Sequence, residues 1–274
     1  MRTVRYPFLT NPFGFPMTSI DEEDIDPAYA EFLDRELPRL HAKEIDRPVL
    51  DFVLDSVARP EGLVMEFGVF SGTTVNRIAD ACPDERVFGF DSFEGFPEAW
   101  GIISKEASKQ FFSRRPPEVR KNVTLVEGWF DRTLPEFLKE HPQQCSLVHI
   151  DCDLYVSTAT VLESLRSRIV PGTVLVFDEM VNMGAQSALH EMKAWWEFVR
   201  DSKIQFEWLC LGYDCGVVFQ SDARDTEDAP EELASAAGQA QGAGVQAFVE
   251  TLHRTRRRFN LPRGLKVAGA VKVH

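Results

Sequence analysis

The chain is predicted to be an α/β protein, a doubly wound and mostly parallel sheet with helices on both faces, and three observations predict it. Short apolar runs alternate with stretches of helical periodicity from residue 63 to residue 200, joined mostly by short connections. The runs end at or beside carboxylates: Glu66, Asp91, Glu127, Asp151 and Asp178. A glycine-bearing loop, Gly68 to Gly72, follows the first run and opens a helix, the layout of a nucleotide cradle.

Taken in order, residues 1–20 carry Pro7, Pro12 and Pro16 among aromatics and read as an extended arm. Tyr29, Phe32, Leu33, Leu37 and Leu40 keep helical spacing, as do Val49, Leu50, Val53 and Val57, so two helices precede the cradle. Strand 63–67 leads into a helix striped by Val75, Ile78, Ala79 and Cys82. Strand 86–91 follows, then an irregular segment at 92–121 and a strand at 123–126. A helix near 132–140, strand 145–150, a helix near 157–168 and strand 173–177 come next. A helix near 186–200 shows Met192, Trp195, Trp196 and Val199 on one face. Strands 205–211 and 215–220 close the sheet as an antiparallel pair, which makes seven strands. Residues 221–243 are acidic and then rich in Ala, Gly and Gln, a linker composition, before a helical stripe over Val245, Phe248, Val249 and Leu252. The expected division is an arm and helical cap at 1–60, a core at 61–220, and a linker with a C-terminal helix and tail at 221–274.

Composition removes several classes of function. A formal net charge of −13 opposes sequence-independent nucleic-acid binding, which needs a basic surface to displace counterions. No apolar run is long enough to span a bilayer, and no signal-peptide core opens the sequence. The cysteines number 5, scattered and without zinc spacing, which suits free thiols in a reducing, cytoplasmic setting.

The loop selects the ligand. Gly68 and Gly72 are separated by Val69, Phe70 and Ser71, so the G-x-G-x-x-G turn that admits a pyrophosphate is missing. A nucleoside without phosphates fits better, with Asp91 on the ribose hydroxyls and its amino-acid end held by Glu66 and the loop backbone. S-adenosylmethionine meets that description and NAD does so poorly. Asp151, Asp178 and Glu179, converging at one sheet edge, would repel one another unless a cation lay between them. Their hard oxygens suit Mg²⁺, which lowers the pKa of an acceptor hydroxyl.

Several blocks together resemble the macrocin O-methyltransferase family: Glu66-Phe67-Gly68-Val69-Phe70-Ser71-Gly72-Thr73, Gly89-Phe90-Asp91-Ser92-Phe93-Glu94-Gly95-Phe96-Pro97, Glu127-Gly128-Trp129-Phe130, Asp151-Cys152-Asp153-Leu154-Tyr155-Val156-Ser157-Thr158 and Val176-Phe177-Asp178-Glu179. The resemblance spans about residues 47–200. It implies a class I methyltransferase-like Rossmann fold that methylates sugar hydroxyls and related positions of natural products. It also implies Mg²⁺ held by Asp151 and the acidic pair. Sugar-methylating members carry Asp-Asp at that pair, where this chain has Asp178-Glu179.

The expected cofactor contacts are Glu66, Gly68, Phe70, Ser71, Gly72, Thr73, Asp91, Ser92, Phe93, Gly128, Trp129, Asp151 and Tyr155, with Trp129 placed to stack on adenine. Asp151 and His190 are the candidate catalytic groups, and Asp151, Asp178 and Glu179 the metal ligands. His149, inside a strand, is assigned to the core. The 92–121 segment is expected to be a lid or acceptor wall, with Lys105, Lys109, Arg114 and Arg115 solvated or, in the alternative, gripping an anionic acceptor. The acceptor is a small molecule, and a dimer or higher even assembly is expected from apolar stripes on the N-terminal arm and the 245–258 helix. Two further readings stand beside this one. The first is a metal-independent O- or N-methyltransferase with His190 or Asp151 as base, and the second an inert cofactor-binding assembly module. A NAD-dependent reductase is disfavoured by the missing third glycine.

Overall fold

The computed structural model describes residues 26–98, 105–180, 190–213 and 267–274. Their elements are α1 (Pro27–His41), β1 (Glu44–Pro48), α2 (Val49–Ser56), β2 (Leu63–Phe67), α3 (Thr73–Ala81), β3 (Val87–Asp91), α4 (Lys105–Phe112), β4 (Val123–Glu127), α5 (Phe130–Glu140), β5 (Cys145–Ile150), α6 (Tyr155–Leu165), β6 (Val174–Phe177), α7 (Glu191–Ser202), β7 (Phe206–Tyr213) and β8 (Val267–Val273).

The strands form one sheet in the order β1-β7-β8-β6-β5-β2-β3-β4. All pairs are parallel except those of β8, which runs antiparallel to β6 and to β7. That reversed strand is the expected closing mark of the sheet, and the fold is of the α/β, Rossmann-like class. From β2 the chain winds outward to β3 and β4, and from β5 it winds the other way to β6. The switch point therefore lies between β2 and β5, where open α/β sheets bind ligands.

Period-2 alternation along the strands divides the core in two. Met65, Phe67, Phe90, Ile150 and Phe177 face α1, α5, α6 and α7. Val64, Val87, Leu147, Val174 and Ala270 face α2 and α3. Asp26 caps α1 by accepting from the Ala28 N–H at 2.8 Å, with Pro27 at the first helical position. The stripe read on α1 is buried: Tyr29 lies 4.8 Å from Trp196 of α7 between ring centroids, and Glu36 accepts from Trp208 Nε1 of β7 at 3.0 Å. That face is spent within the chain. Among the described residues no helix is long and apolar enough to cross a membrane.

Two strands differ from the sequence reading, so the sheet has eight strands instead of seven. β1, Glu-Ile-Asp-Arg-Pro, carries charges and a proline and no apolar run; it is an edge strand, where such residues deter further pairing. The antiparallel partner of β7 is β8, drawn from beyond residue 266, and not the expected strand at 215–220, which lies outside the described residues. With β1 on one side and β8 on the other, both edges of β7 are taken. The N-terminal arm and the 245–258 helix also lie outside the described residues.

Because Val271 of β8 is buried between Leu175 of β6 and Trp208 of β7, its truncation should be felt throughout the sheet. Val271→Ala is expected to cost about 2 kcal/mol in urea unfolding, and Val271→Asp considerably more. Val156→Ala, at an exposed position, should leave the midpoint unchanged.

Candidate functional site

Beyond the strand ends the parallel ladder continues for one more bond in each pair. The Gly128 N–H donates to Asp91 O at 2.9 Å, Gly68 N–H to Phe90 O at 2.9 Å, Asp151 N–H to Phe67 O at 2.8 Å and Asp178 N–H to Ile150 O at 3.0 Å. Gly128, Asp91, Gly68, Asp151 and Asp178 therefore stand in a row along the carboxyl edge of the sheet. At the switch point the contact is tight. Gly68 has φ +95°, and a Cβ built there would lie 1.8 Å from the Asp151 carbonyl oxygen, so only glycine fits. Gly72, at φ +79°, starts α3 in a left-handed conformation.

Asp91 fastens two loops together. Its Oδ2 accepts from the N–H groups of Val69 at 3.0 Å and Phe70 at 2.8 Å, and its Oδ1 from Phe93 N–H at 2.8 Å. Both loops store strain: Phe70 at φ +42° and Phe93 at φ +55° are left-handed without being glycine, and Asp153 after β5 is a third at φ +59°. Ser71 Oγ and Thr73 Oγ1 share a hydrogen bond of 2.9 Å beside them, and Ser92 Oγ accepts from Glu94 N–H at 3.2 Å. The Phe93 side chain turns away from the edge into the core beneath α2 and α3. The 92–121 segment folds onto the cradle through rings, Phe112 packing 5.8 Å from Phe70 and 4.1 Å from Phe96 between centroids. Trp129, half-buried, follows Gly128 as the residue that starts α5.

Glu66 and Tyr155 are engaged elsewhere than expected. Glu66 is fully buried; its Oε1 accepts from Thr74 Oγ1 of α3 at 3.0 Å, and its Oε2 lies 2.8 Å from His149 Nδ1 of β5. Both carboxylate oxygens thus face protein partners, and the group joins β2, β5 and α3 behind the loop. Burial pushes its carboxyl up, against the opposing pull of His149 and Thr74. His149 is buried, as assigned. The Tyr155 hydroxyl donates to Glu197 Oε2 of α7, and Lys193 Nζ lies 4.9 Å from its ring centroid. The hydrogen bond to Glu197 pushes the phenol up to about 12, so it stays protonated and ties α6 to α7.

The acidic row is deeper than the sequence indicated. Asp153, Asp178, Glu179 and Glu191 are buried, and Glu191 Oε2 accepts from Glu179 N–H at 3.0 Å. Burial, reinforced by the charges of Glu191, Asp153 and Asp151, holds the Cys152 thiol well above its ordinary value, which keeps it protonated. Glu191 and Asp153 were missed as site residues, although both adjoin residues that were singled out, His190 and Cys152. Hard carboxylate oxygens suit Mg²⁺ in chemistry. Among the described residues no group of three or more His, Cys, Asp and Glu side chains gathers as a metal site.

His190 starts α7 beside this row, with a hydrogen bond to the Asp153 backbone. Burial lowers its pKa, partly offset by the Asp153 and Glu98 carboxylates, so the imidazole is neutral at neutral pH. Its Nδ1 is buried and has no hydrogen-bond partner among the described residues.

Residues 65–180 match the family model described as a methyltransferase domain. The 8-demethyl-8-(2,3-dimethoxy-alpha-L-rhamnosyl)-tetracenomycin-C 4'-O-methyltransferase of Streptomyces olivaceus is 29% identical over 126 residues, covering 39% of this chain and 47% of that protein. The chain thus matches about half the length of that relative. Among solved structures, CalS11, a calicheamicin methyltransferase, aligns at 23% identity over 68% of this chain and 82% of its own, with TM-score 0.46. The O-methyltransferase NovP aligns at 22% identity over 54% and 69%, with TM-score 0.38.

Glu66→Ala leaves the Thr74 hydroxyl and the His149 ring buried without their acceptor, and is expected to cost about 3 kcal/mol in urea unfolding. Glu66→Gln keeps an acceptor and a donor in place and should cost about half of that or less.

Proposed function

We propose that this chain transfers a methyl group from S-adenosylmethionine to a hydroxyl of a small molecule, a sugar or a related natural-product moiety. The observation that carries this reading is the carboxylate of Asp91 locking the Gly68–Gly72 loop at the switch point of the sheet, within the stretch that matches a methyltransferase domain. The Streptomyces relative, named for O-methylation of a rhamnosyl group, supports a sugar hydroxyl as acceptor.

S-adenosylmethionine brings an electrophilic methyl group on a sulfonium, so the protein has only to align an oxygen with it and remove one proton. The cradle fits such a nucleoside. A carboxylate offers about four acceptor sites, and on Asp91 the amides of Val69, Phe70 and Phe93 fill three. About one remains for a ribose hydroxyl, so Asp91 grips the ribose singly and its other bonds hold the loop that surrounds it. His190 is the base in this reading: neutral, it accepts the acceptor's proton at Nδ1, and the carboxylates of Asp153 and Glu98 stabilise the imidazolium that results.

A second reading is supported by the buried carboxylates along the same edge. Asp151, Asp178 and Glu179 would be the ligands of Mg²⁺, which would take over activation of the hydroxyl. Assembly as a dimer or higher even oligomer, in the cytoplasm, belongs to the same proposal. It rests on the apolar stripes of the N-terminal arm and of Val245, Phe248, Val249 and Leu252, both outside the described residues. Light scattering is expected to return a multiple of the 31.1 kDa chain mass.

Asp91→Ala should weaken S-adenosylmethionine binding by roughly 2–3 kcal/mol, because it frees the loop as well as losing the ribose. Unchanged calorimetric affinity in a folded variant would sink the assignment. His190→Ala should lower kcat by about 10²- to 10⁴-fold and leave cofactor affinity alone. Since the His190 pKa is lowered, the base form persists into mild acid, and kcat should begin to fall only below about pH 6.5. Turnover that collapses in EDTA and returns with Mg²⁺ would move proton removal from His190 to the carboxylate row.

A further inference from the structure

Several arginines of so acidic a chain meet carboxylates. Arg59 lies against Glu85, Arg77 against Asp51 and Arg120 against Asp80. Arg114 meets an aromatic ring instead. Its guanidinium carbon lies 4.5 Å from the centroid of the Phe70 ring, the side chain is exposed, and among the described residues it has no ion pair. A guanidinium stacked by one face on a ring keeps the donors along its edge free and oriented. That is the arrangement suited to a planar or tetrahedral oxyanion.

The backbone fixes where that edge stands. Arg114 N–H donates to Phe93 O at 3.1 Å, Ser113 Oγ donates to the same oxygen at 3.3 Å, and Ser113 pairs with Glu94 as an isolated antiparallel bridge. Phe93 N–H in turn donates to Asp91 Oδ1, and Phe70 N–H to Asp91 Oδ2. Arg114 is thus held from below by Phe70 and from behind by Phe93, two of the three left-handed non-glycine residues along the edge. Strained backbone on both supports, joined through one carboxylate, places a cation at the rim of the cradle. Glu66 does not supply a charge there, because Thr74 and His149 occupy it.

We propose that Arg114 is an oxyanion-binding residue at the rim of the cofactor loop. It recognises a carboxylate or phosphate group on what binds there, either the amino-acid carboxylate of S-adenosylmethionine or a phosphate carried by the acceptor. The proposal rests on the methyltransferase reading, and its test is binding rather than turnover.

The full chain is titrated calorimetrically with S-adenosylhomocysteine, with 5′-methylthioadenosine, which lacks the amino-acid carboxylate, and with thymidine diphosphate. Arg114→Ala and Arg114→Lys are compared with the wild type, and thermal melts confirm that these exposed substitutions leave the fold intact. One anionic ligand is expected to bind about tenfold more weakly to Arg114→Ala, with partial recovery in Arg114→Lys and no change for 5′-methylthioadenosine. Loss confined to S-adenosylhomocysteine assigns the cofactor carboxylate, and loss confined to thymidine diphosphate assigns an acceptor phosphate. Wild-type affinity of Arg114→Ala for all three ligands overturns the proposal and leaves the methyltransferase reading standing. A wild-type chain that binds none of them overturns both.

Discussion

The pairing of β2 with β5 is the constraint from which the site follows. The register sets Glu66 opposite His149 and Phe67 opposite Ile150, so the next residues to meet are Gly68 and Asp151. One residue of slip would exchange the two faces of β2, setting the Glu66 carboxylate among the phenylalanines of the opposite core and Phe67 against His149. A buried acid and its imidazole partner act as a key that fits one register only. The glycine that follows has no side chain to hold the strands apart, and the loop settles directly on the Asp151 backbone.

Around that seam, polar groups are bought with backbone strain and desolvation, and both are concentrated on one edge of the sheet. Asp91 holds two loops whose left-handed residues would relax without it. Asp178, Glu179 and Glu191 sit where water cannot reach them, which raises the energy of their charged forms. The opposite edge has ordinary clasps instead, such as Arg59 bonded to Glu85 and Ser146. Concentration of unfavourable terms at the carboxyl edge, with a conventional core beneath, is the distribution of a site whose geometry matters more than its stability.

Much of this was legible in the sequence. Fully buried parallel strands announce themselves as apolar runs, and their ends as carboxylates and glycines, so β2 to β6 and the cradle were visible. What period and composition do not encode is direction. Glu66 looked like a ligand because an acid in an apolar strand invites a functional explanation, yet its partners Thr74 and His149 are found only once α3 and β5 are packed. Tyr155 faces α7 for the same reason, a neighbour distant in sequence. β8 escaped notice because Val-Ala-Gly-Ala-Val-Lys-Val is made mostly of small residues and lies beyond the linker-like stretch at 221–243. Arg114 was assigned to solvent or to an anionic acceptor; its side chain is exposed, and the ring beneath it could not be foreseen from spacing.

The origin of β8 has a consequence for how the molecule is made. Synthesis proceeds from the N-terminus at roughly 5–20 residues per second, and domains fold as their parts appear. Here β6 and β7 are complete long before residues 267–273, the strand that lies between them, leave the ribosome. Until then the two halves of the sheet present open hydrogen-bonding edges to each other, with a gap one strand wide. Those edges could close on each other or on another nascent chain, and each error excludes the late strand. The order of translation thus places a hazard of misassembly at the insertion of β8, and it is there that a chaperone holding β6 and β7 apart would do the most good.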